Sequence, residues 1–264
     1  MNKITISSIK ESEVIKESEI IKVIKESNTI NDNTEILIKE NIYVPSKAEI
    51  IPNKFILCGL GNPEPSYRNQ RHNIGKIFIN YYIEKHNISI NKSTKQNDIL
   101  EHEDPKSKSS LVLVKPNCFM NVSGLNIIEA VNDYKLDISN LIVFCDDLET
   151  ELGKVKISLV GGDRGHNGLK SINDTFCSND YLKVKIGVGR PTSHNPKVVS
   201  DFVLGSIPLK DLEVIKTNAF PRIEKELDKL FKNNGNSNSK NSNSKKSNEK
   251  KNKKKSNEDS NKKG

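Results

Sequence analysis

Four segments of the sequence contain the residue types that acid–base chemistry requires, and each of them follows an apolar run. A histidine near a carboxylate can act as a general base, because the carboxylate fixes the imidazole tautomer and stabilises the imidazolium that forms. Asparagine side chains can donate hydrogen bonds to a developing oxyanion without adding charge. The segments are Gly59-Leu60-Gly61-Asn62-Pro63 with Tyr67 and Arg71-His72-Asn73; residues 115–121; Asp146-Asp147; and residues 161–168.

The type of chemistry is narrowed by what the sequence does not contain. A Gly-x-Ser-x-Gly nucleophile motif is absent, so a histidine base would activate water directly. The five histidines do not show a metal-ligand spacing, and we expect no metal. Glu64 stands where a Gly-x-Gly-x-x-Gly fingerprint needs its third glycine, which disfavours a dinucleotide-dependent oxidoreductase. Each segment alone also fits a turn or a helix cap. Four such segments, each at the end of a predicted strand, favour a catalytic site.

The elements that must position these segments follow from the hydrophobic pattern between residues 54 and 231. Apolar runs predict strands, and apolar residues at a helical period predict helices between them. This alternation predicts an α/β sandwich around one central sheet, with ligands bound at the carboxyl ends of the strands. The predicted strands span 54–58, 111–114, 141–145, 154–159 and 182–188, and the predicted helices span 71–85, 122–134, 168–175 and 208–231, the last with a break at Pro221.

Two extensions flank this domain. Residues 1–53 contain near-repeats of Ile-Lys-Glu-Ser and predict a charged, low-complexity extension; a short coiled-coil arm is the alternative, which the irregular spacing disfavours. Residues 232–264 consist mainly of Asn, Ser and Lys and predict a disordered tail. The tail has eleven lysines against three acidic residues, a net charge of +8 that equals that of the whole chain. Nucleic-acid binding by the domain must therefore depend on local clusters of charge.

The cellular setting is indicated by the cysteines and by hydropathy. The four cysteines lie far apart without a Cys-x-x-Cys pair, which favours a reducing compartment. No apolar run approaches the roughly 20 residues that span a bilayer, and the N-terminus lacks the apolar region of a signal peptide. We therefore expect a soluble intracellular protein that does not bind membranes.

The four segments resemble, in order and approximate spacing, the signatures of the bacterial-type peptidyl-tRNA hydrolase family. The resemblance covers about residues 54–230 and leaves out both extensions. Three positions depart from the family pattern: Glu64 replaces a common glycine, Glu149 replaces a frequent aspartate, and Ser158 replaces a phosphate-binding lysine of some relatives. The matching segments are Gly59 to Pro63 with Tyr67 and Arg71-His72-Asn73-Ile74-Gly75; Lys115-Pro116 with Phe119-Met120-Asn121-Val122-Ser123-Gly124; Asp146-Asp147-Leu148; Gly161-Gly162 with Gly165-His166-Asn167-Gly168-Leu169-Lys170; Ile186 to Pro191; and Phe202 to Gly205.

The resemblance implies a role for each matched residue. The catalytic group would be His72 as the base that activates water, Asp146 as the residue that orients and polarises it, and Asn62 near the scissile ester. The substrate-binding group would be Asn121, which with Asn62 holds the peptide; Met120 and Tyr67, which line the cleft; Asn167, which binds substrate or the catalytic water; and His166 at the cleft entrance. The tRNA phosphates would be gripped by Lys170, Lys183 and Lys185, the last two of which share one face of a strand.

The resemblance also implies a compact, monomeric α/β domain with a twisted, mixed sheet flanked by helices. Its activity would be hydrolysis of the ester bond of peptidyl-tRNA, without a cofactor, releasing free tRNA and peptide. The partner would be peptidyl-tRNA, held by its acceptor arm and its nascent peptide, in the cytoplasm, with an organelle left open. The alternative is a non-catalytic RNA-binding protein of the splicing type on the same fold, which the presence of His72, Asp146 and Asn62 disfavours.

Overall fold

The computed structural model describes residues 53–89, 92–94 and 96–233. The predictions of an N-terminal extension and of a disordered tail fall almost wholly outside these residues. The strands are β1 (Lys54–Gly59), β2 (Lys92–Ser93), β3 (Asn97–Glu103), β4 (Ser110–Pro116), β5 (Leu141–Asp147), β6 (Val155–Ser158) and β7 (Leu182–Gly187). The helices are α1 (Ile74–Lys85), α2 (Ser123–Asp133), α3 (Asn167–Phe176), α4 (Pro196–Leu204) and α5 (Leu209–Val214). A π-helical segment (Ile215–Ala219) joins α5 to a final helix over 220–233, and 3₁₀ turns span Arg71–Asn73, Met120–Val122 and Ile138–Asn140.

The strands of the described residues form one mixed sheet in the order β2-β3-β4-β1-β5-β7-β6. The central strands β4, β1, β5 and β7 are parallel, whereas β3 and β6 pair with their neighbours in antiparallel fashion. The predicted α/β architecture with a mixed central sheet is therefore confirmed. Because the four parallel strands end at the same edge, the loops that follow them lie side by side.

Helices cover both faces of the sheet, which explains why the central strands are apolar at nearly every position. On one face α1 and the helix over 220–233 pack around a core that includes Leu57, Phe78, Phe144 and Phe220. On the other face α2 packs against β4 and against α3. The sheet is thereby buried from both sides, and its carboxyl edge remains open to solvent.

Three elements, β2, β3 and α4, were missed by the sequence pattern, and one predicted break is wrong. Strand β2 has only two residues, and β3 has two adjacent apolar residues, Ile99 and Leu100, among polar and charged ones, so neither shows a strand period. Helix α4 has apolar residues at helical spacing but no fully buried residue. The final helix does not break at Pro221, because the π-helical segment Ile215–Ala219 directly precedes it. Proline lacks the backbone donor of a regular helix, and a wider turn before it accommodates that loss. Among the described residues, no helix combines the length and apolar character that crossing a bilayer requires.

Candidate active site

The carboxyl edge of the sheet brings the predicted catalytic residues together. Asn62 lies in the loop after β1, His72 in the 3₁₀ turn before α1, and Asp146 near the end of β5. The turn that carries His72 leads directly into α1, and the start of α1 packs against the backbone at the end of β1. This contact fixes the turn to the sheet. A Cβ atom at Gly59 would lie 2.6 Å from the carbonyl oxygen of Gly75, so the first Gly-x-Gly serves close helix packing.

His72 and Asp146 form a buried hydrogen bond. The distance from His72 Nδ1 to Asp146 Oδ1 is 2.8 Å, and the two residues are 7% and 4% exposed. Burial lowers the pKa of His72, but the charge of Asp146 and their hydrogen bond outweigh it and raise this pKa above 6.5. With Nδ1–H donated to the carboxylate, the lone pair on Nε2 is left to accept a proton.

His166 donates to the same oxygen of Asp146 rather than lying only at the cleft entrance. Its Nε2 is 3.0 Å from Asp146 Oδ1, while its Nδ1 caps α3 by accepting from the backbone N–H groups of Gly168 and Leu169 at 3.1 and 3.3 Å. These two N–H groups fix the tautomer of His166 with its proton on Nε2. Burial raises the pKa of Asp146, but the two histidines outweigh this and hold it well below its usual range.

His72, Asp146 and His166 lie close enough together that, among the described residues, they form a candidate metal site. The ligand atoms of His72, Asp146 and His166 lie within 4.8 Å of one another. Coordination through Nε2 of a neutral His166 would require the proton to move to Nδ1, where two backbone N–H groups already point. The cluster is therefore built for hydrogen bonds to a carboxylate and fits a metal poorly.

Asn62 is held by Asn73, which belongs to one of the four segments but was not among the predicted site residues. The backbone N–H of Asn62 donates to Asn73 Oδ1 at 2.9 Å, and Asn73 Nδ2 donates to the carbonyl of Asn62 at 3.0 Å. The side-chain oxygen of Asn62 then accepts from the backbone N–H of Met120 at 3.0 Å. Asn62 thus ties the loop after β1 to the loop after β4. Asn73 could have been predicted as a site residue, because it directly follows His72 in the sequence.

An aromatic and apolar surface lies beside these groups. Tyr67 and Phe119 meet edge to face with ring centroids 6.1 Å apart, and Phe119 is 56% exposed. Met120 is buried, whereas Asn121 and Asn167 are exposed, so their amides are open to a ligand. Phe119 was part of the resembling motif but was not among the predicted site residues.

The three predicted phosphate-binding lysines do not share one environment. Lys170 is exposed on α3. Lys183 is fully buried, and its ammonium donates to the carbonyls of Leu159, Asn179 and Tyr181 at 3.4, 2.6 and 3.2 Å. Lys185 is also buried. The alternation of side chains along β7 places both lysines on one face, where both side chains are buried. In the structure, the ammonium of Lys183 is engaged by backbone carbonyls and is not exposed for contact with a phosphate.

Arg71 connects the turn that carries His72 to the end of α4. Its Nη1 donates to the carbonyls of Phe202 and Ser206, both at 3.1 Å, and its guanidinium lies 4.0 Å from the ring centroid of Phe202. Its backbone N–H donates to the carbonyl of Gly205 at 3.1 Å. These contacts join residues that are more than 130 positions apart in sequence, so no local sequence pattern reveals them.

The sequence of this chain is similar to those of one family of known proteins. The sequence profile described as "Peptidyl-tRNA hydrolase" matches residues 56–254. The chain is similar to the peptidyl-tRNA hydrolase of Rickettsia canadensis (strain McKiel), with 37% identity over 178 residues, 67% of this chain and 93% of the relative. It is also similar to the peptidyl-tRNA hydrolase of Bartonella quintana (strain Toulouse), with 40% identity over 159 residues, 60% of this chain and 80% of the relative.

The fold leads to the same family. A crystal structure of a peptidyl-tRNA hydrolase in complex with n-propanol superposes with a TM-score of 0.63 and 25% identity, covering 70% of this chain and 92% of that one. The sheet, the site at its carboxyl edge and the sequence profile agree. The chain belongs to the peptidyl-tRNA hydrolase family.

Proposed function

We propose that this protein hydrolyses the ester that joins a peptide to the ribose of tRNA, releasing free tRNA and free peptide. Membership of the peptidyl-tRNA hydrolase family supports the reaction, and so the protein recycles tRNA from stalled translation. The observation that carries the mechanism is the buried hydrogen bond of 2.8 Å between His72 Nδ1 and Asp146 Oδ1. It leaves one imidazole nitrogen free for proton transfer and fixes the orientation of the ring.

The reaction follows from this arrangement in two proton transfers. His72 Nε2 takes a proton from water as the water oxygen attacks the ester carbonyl carbon, and a tetrahedral oxyanion forms. The imidazolium, stabilised by Asp146, then returns the proton to the ribose oxygen as the carbon–oxygen bond breaks. General base catalysis of this type contributes about 10²- to 10⁴-fold. Donors to the oxyanion contribute about a further 10²- to 10³-fold each.

The substrate is held by the residues around this pair. In our proposal Asn62 and the exposed Asn121 hold the peptide so that the scissile ester lies beside His72, and the exposed amide of Asn167 binds the substrate or the catalytic water. Tyr67 and Met120 line the cleft on its apolar side. His166 keeps Asp146 charged and oriented through its bond of 3.0 Å.

The tRNA phosphates would be bound by lysines at the surface. Lys170 is exposed on α3, and we propose it as a phosphate contact. Lys156, also exposed, lies opposite the buried Lys185 in the β6–β7 pair and is two residues from Ser158. Lys156 would supply the charge that some relatives place at position 158. We further propose, as the resemblance implies, that the protein acts as a monomer in the cytoplasm.

Hydrolysis of a blocked aminoacyl-tRNA by the wild type and by His72→Ala tests the proposal. We expect His72→Ala to lose turnover by about 10²- to 10⁴-fold while it still binds tRNA. Near-normal turnover of this variant would remove His72 as the base. No turnover by the wild type would instead support the alternative of a non-catalytic RNA-binding protein. The His72–Asp146 hydrogen bond and the family match disfavour that alternative.

A further inference from the structure

Lys76 is a buried lysine in the first turn of α1 that the mechanism above does not use. It is 1% exposed, and its ammonium donates to the backbone carbonyl of Asn62 at 3.0 Å. A buried charge costs desolvation free energy that an apolar residue of similar volume would not. Its presence behind the active-site loop therefore requires a reason other than packing.

The stem of Lys76 also packs against the loop after β1. A Cβ atom at Gly61 would lie 2.9 Å from Lys76 Cδ and 2.9 Å from Asn73 Cγ. The side chains of Lys76 and Asn73 thus fill the space beneath the loop. Burial lowers the pKa of Lys76, and the charge of Glu64 opposes this effect.

The backbone of Asn62 is consequently held through both its N–H and its carbonyl. Asn73 bonds to both groups, and Lys76 adds a second donor to the carbonyl. The carbonyl acceptor is thereby used twice. The peptide plane before Asn62 cannot rotate without losing one hydrogen bond, and the plane after it cannot rotate without losing two. The Asn62 side chain leaves this fixed backbone and accepts from the backbone N–H of Met120.

We propose that Lys76 is a positioning residue, which acts on catalysis by fixing the backbone of Asn62 and, through it, the side-chain amide at the active site. This inference rests on the proposed role of Asn62 in the reaction. Lys76 lies too deep to bind substrate. Its effect should therefore appear in kcat and leave substrate affinity nearly unchanged.

A double-mutant cycle tests the proposal, with Lys76→Met, Asn62→Ala and the double variant measured on a blocked aminoacyl-tRNA. Lys115→Met is the control, because Lys115 is a half-buried lysine whose ammonium donates to Asn80 Oδ1 at 3.0 Å rather than to Asn62. Lys76→Met should lower kcat about tenfold, with KM changed less than about twofold. Lys115→Met should leave both within about twofold of the wild type.

The interaction between the two changes decides the question. If Lys76 acts through Asn62, Lys76→Met should have less than about a twofold effect in an Asn62→Ala background. Equal effects in both backgrounds would overturn the proposal. Normal kcat in Lys76→Met, with Asn62→Ala slow, would also overturn it and leave the proposed function intact. Near-normal kcat in Asn62→Ala would instead refute the proposed role of Asn62.

A loss of stability must be separated from a loss of positioning. Methionine matches the stem of lysine and removes the buried charge, so the thermal midpoint should stay equal or rise. Lys76→Gln, measured in parallel, keeps a donor without a charge. If both variants unfold at much lower temperature than the wild type, Lys76 serves the stability of the fold and the proposal fails.

Discussion

The imidazole rings of His72 and His166 lie with their centroids 4.7 Å apart and donate to one and the same oxygen of a buried carboxylate. Within residues 53–89, 92–94 and 96–233, Nε2 of His72 has no hydrogen-bond partner, whereas His166 uses its second nitrogen, Nδ1, to cap α3. The two histidines are therefore not interchangeable. In this arrangement Nε2 of His72 is the ring nitrogen of the pair that has a lone pair to accept a proton, which is why we propose His72 as the base.

The acid side of the pH–rate profile should report His72. Its pKa is raised above 6.5, because Asp146 favours the charged imidazolium. A general base must be unprotonated, so kcat/KM should fall as the pH decreases through this raised value. We expect the midpoint of the acid limb above pH 6.5, measured by hydrolysis of a blocked aminoacyl-tRNA. A midpoint at or below that pH would contradict the role of Asp146.

Replacement of His166 by alanine should move this midpoint upward. Without the second donor, Asp146 interacts with His72 alone and stabilises its imidazolium more strongly. The kcat/KM profile of His166→Ala should therefore have its acid limb at higher pH than the wild type. His166→Gln, whose amide can still donate to Asp146, serves as the control and should shift less. An unchanged or lowered midpoint in His166→Ala would show that the two histidines do not compete for the carboxylate.

Replacement of Arg71 should misplace the base without removing it. Arg71→Met loses two hydrogen bonds to the end of α4 and the stacking on Phe202. We expect kcat to fall about 10- to 100-fold, because small displacements of a catalytic group are costly. Arg71→Lys keeps the charge but loses the planar fork, so it should recover only part of the rate. Equal rates for Arg71→Met and the wild type would show that α4 does not support the turn.

Two lysines on neighbouring elements should respond differently to substitution. Lys170→Ala should raise KM for tRNA and reduce the slope of log KM against log salt by about one, because it removes an exposed phosphate contact. Lys183→Met should leave that slope unchanged. It should instead lower the free energy of unfolding by about 1–3 kcal/mol, because it removes the ammonium that donates to three carbonyls. A salt slope altered by Lys183→Met would restore Lys183 to the RNA site.

The apolar runs of the sequence predicted most of the fold. Strands β1, β4, β5, β6 and β7 were found within two residues of their bounds. For β1, β4 and β5 the reason is burial on both faces, which demands a continuous apolar run. Strand β3 was missed since it ends in Glu101 and Glu103, beyond the part that pairs with β2. Local sequence therefore identifies strands with a continuous or alternating apolar pattern and misses those that charged residues interrupt.

The site was predictable to the extent that strand ends converge. Asn62, His72 and Asp146 each follow or adjoin a parallel strand, and their meeting needs only that topology. The environment of Lys183 was not predictable, because the period of two places it on a face but does not reveal what covers that face. Arg71 and Lys76 were not identified because their partners are fixed by tertiary packing.

The backbone contact of Gly75 with β1 and β5 has a consequence for how the enzyme meets its substrate. A methyl group at Gly75 would collide with the carbonyl of Phe144 and the backbone of Leu60, so nothing separates the helix from the strands there. The proton acceptor and its carboxylate are therefore pre-assembled in the free protein. The affinity gained from a long RNA and a variable peptide need not be spent on building the catalytic geometry. In an enzyme organised in this way, the binding of the RNA and the peptide can serve to align the ester with a reaction centre that is already in place.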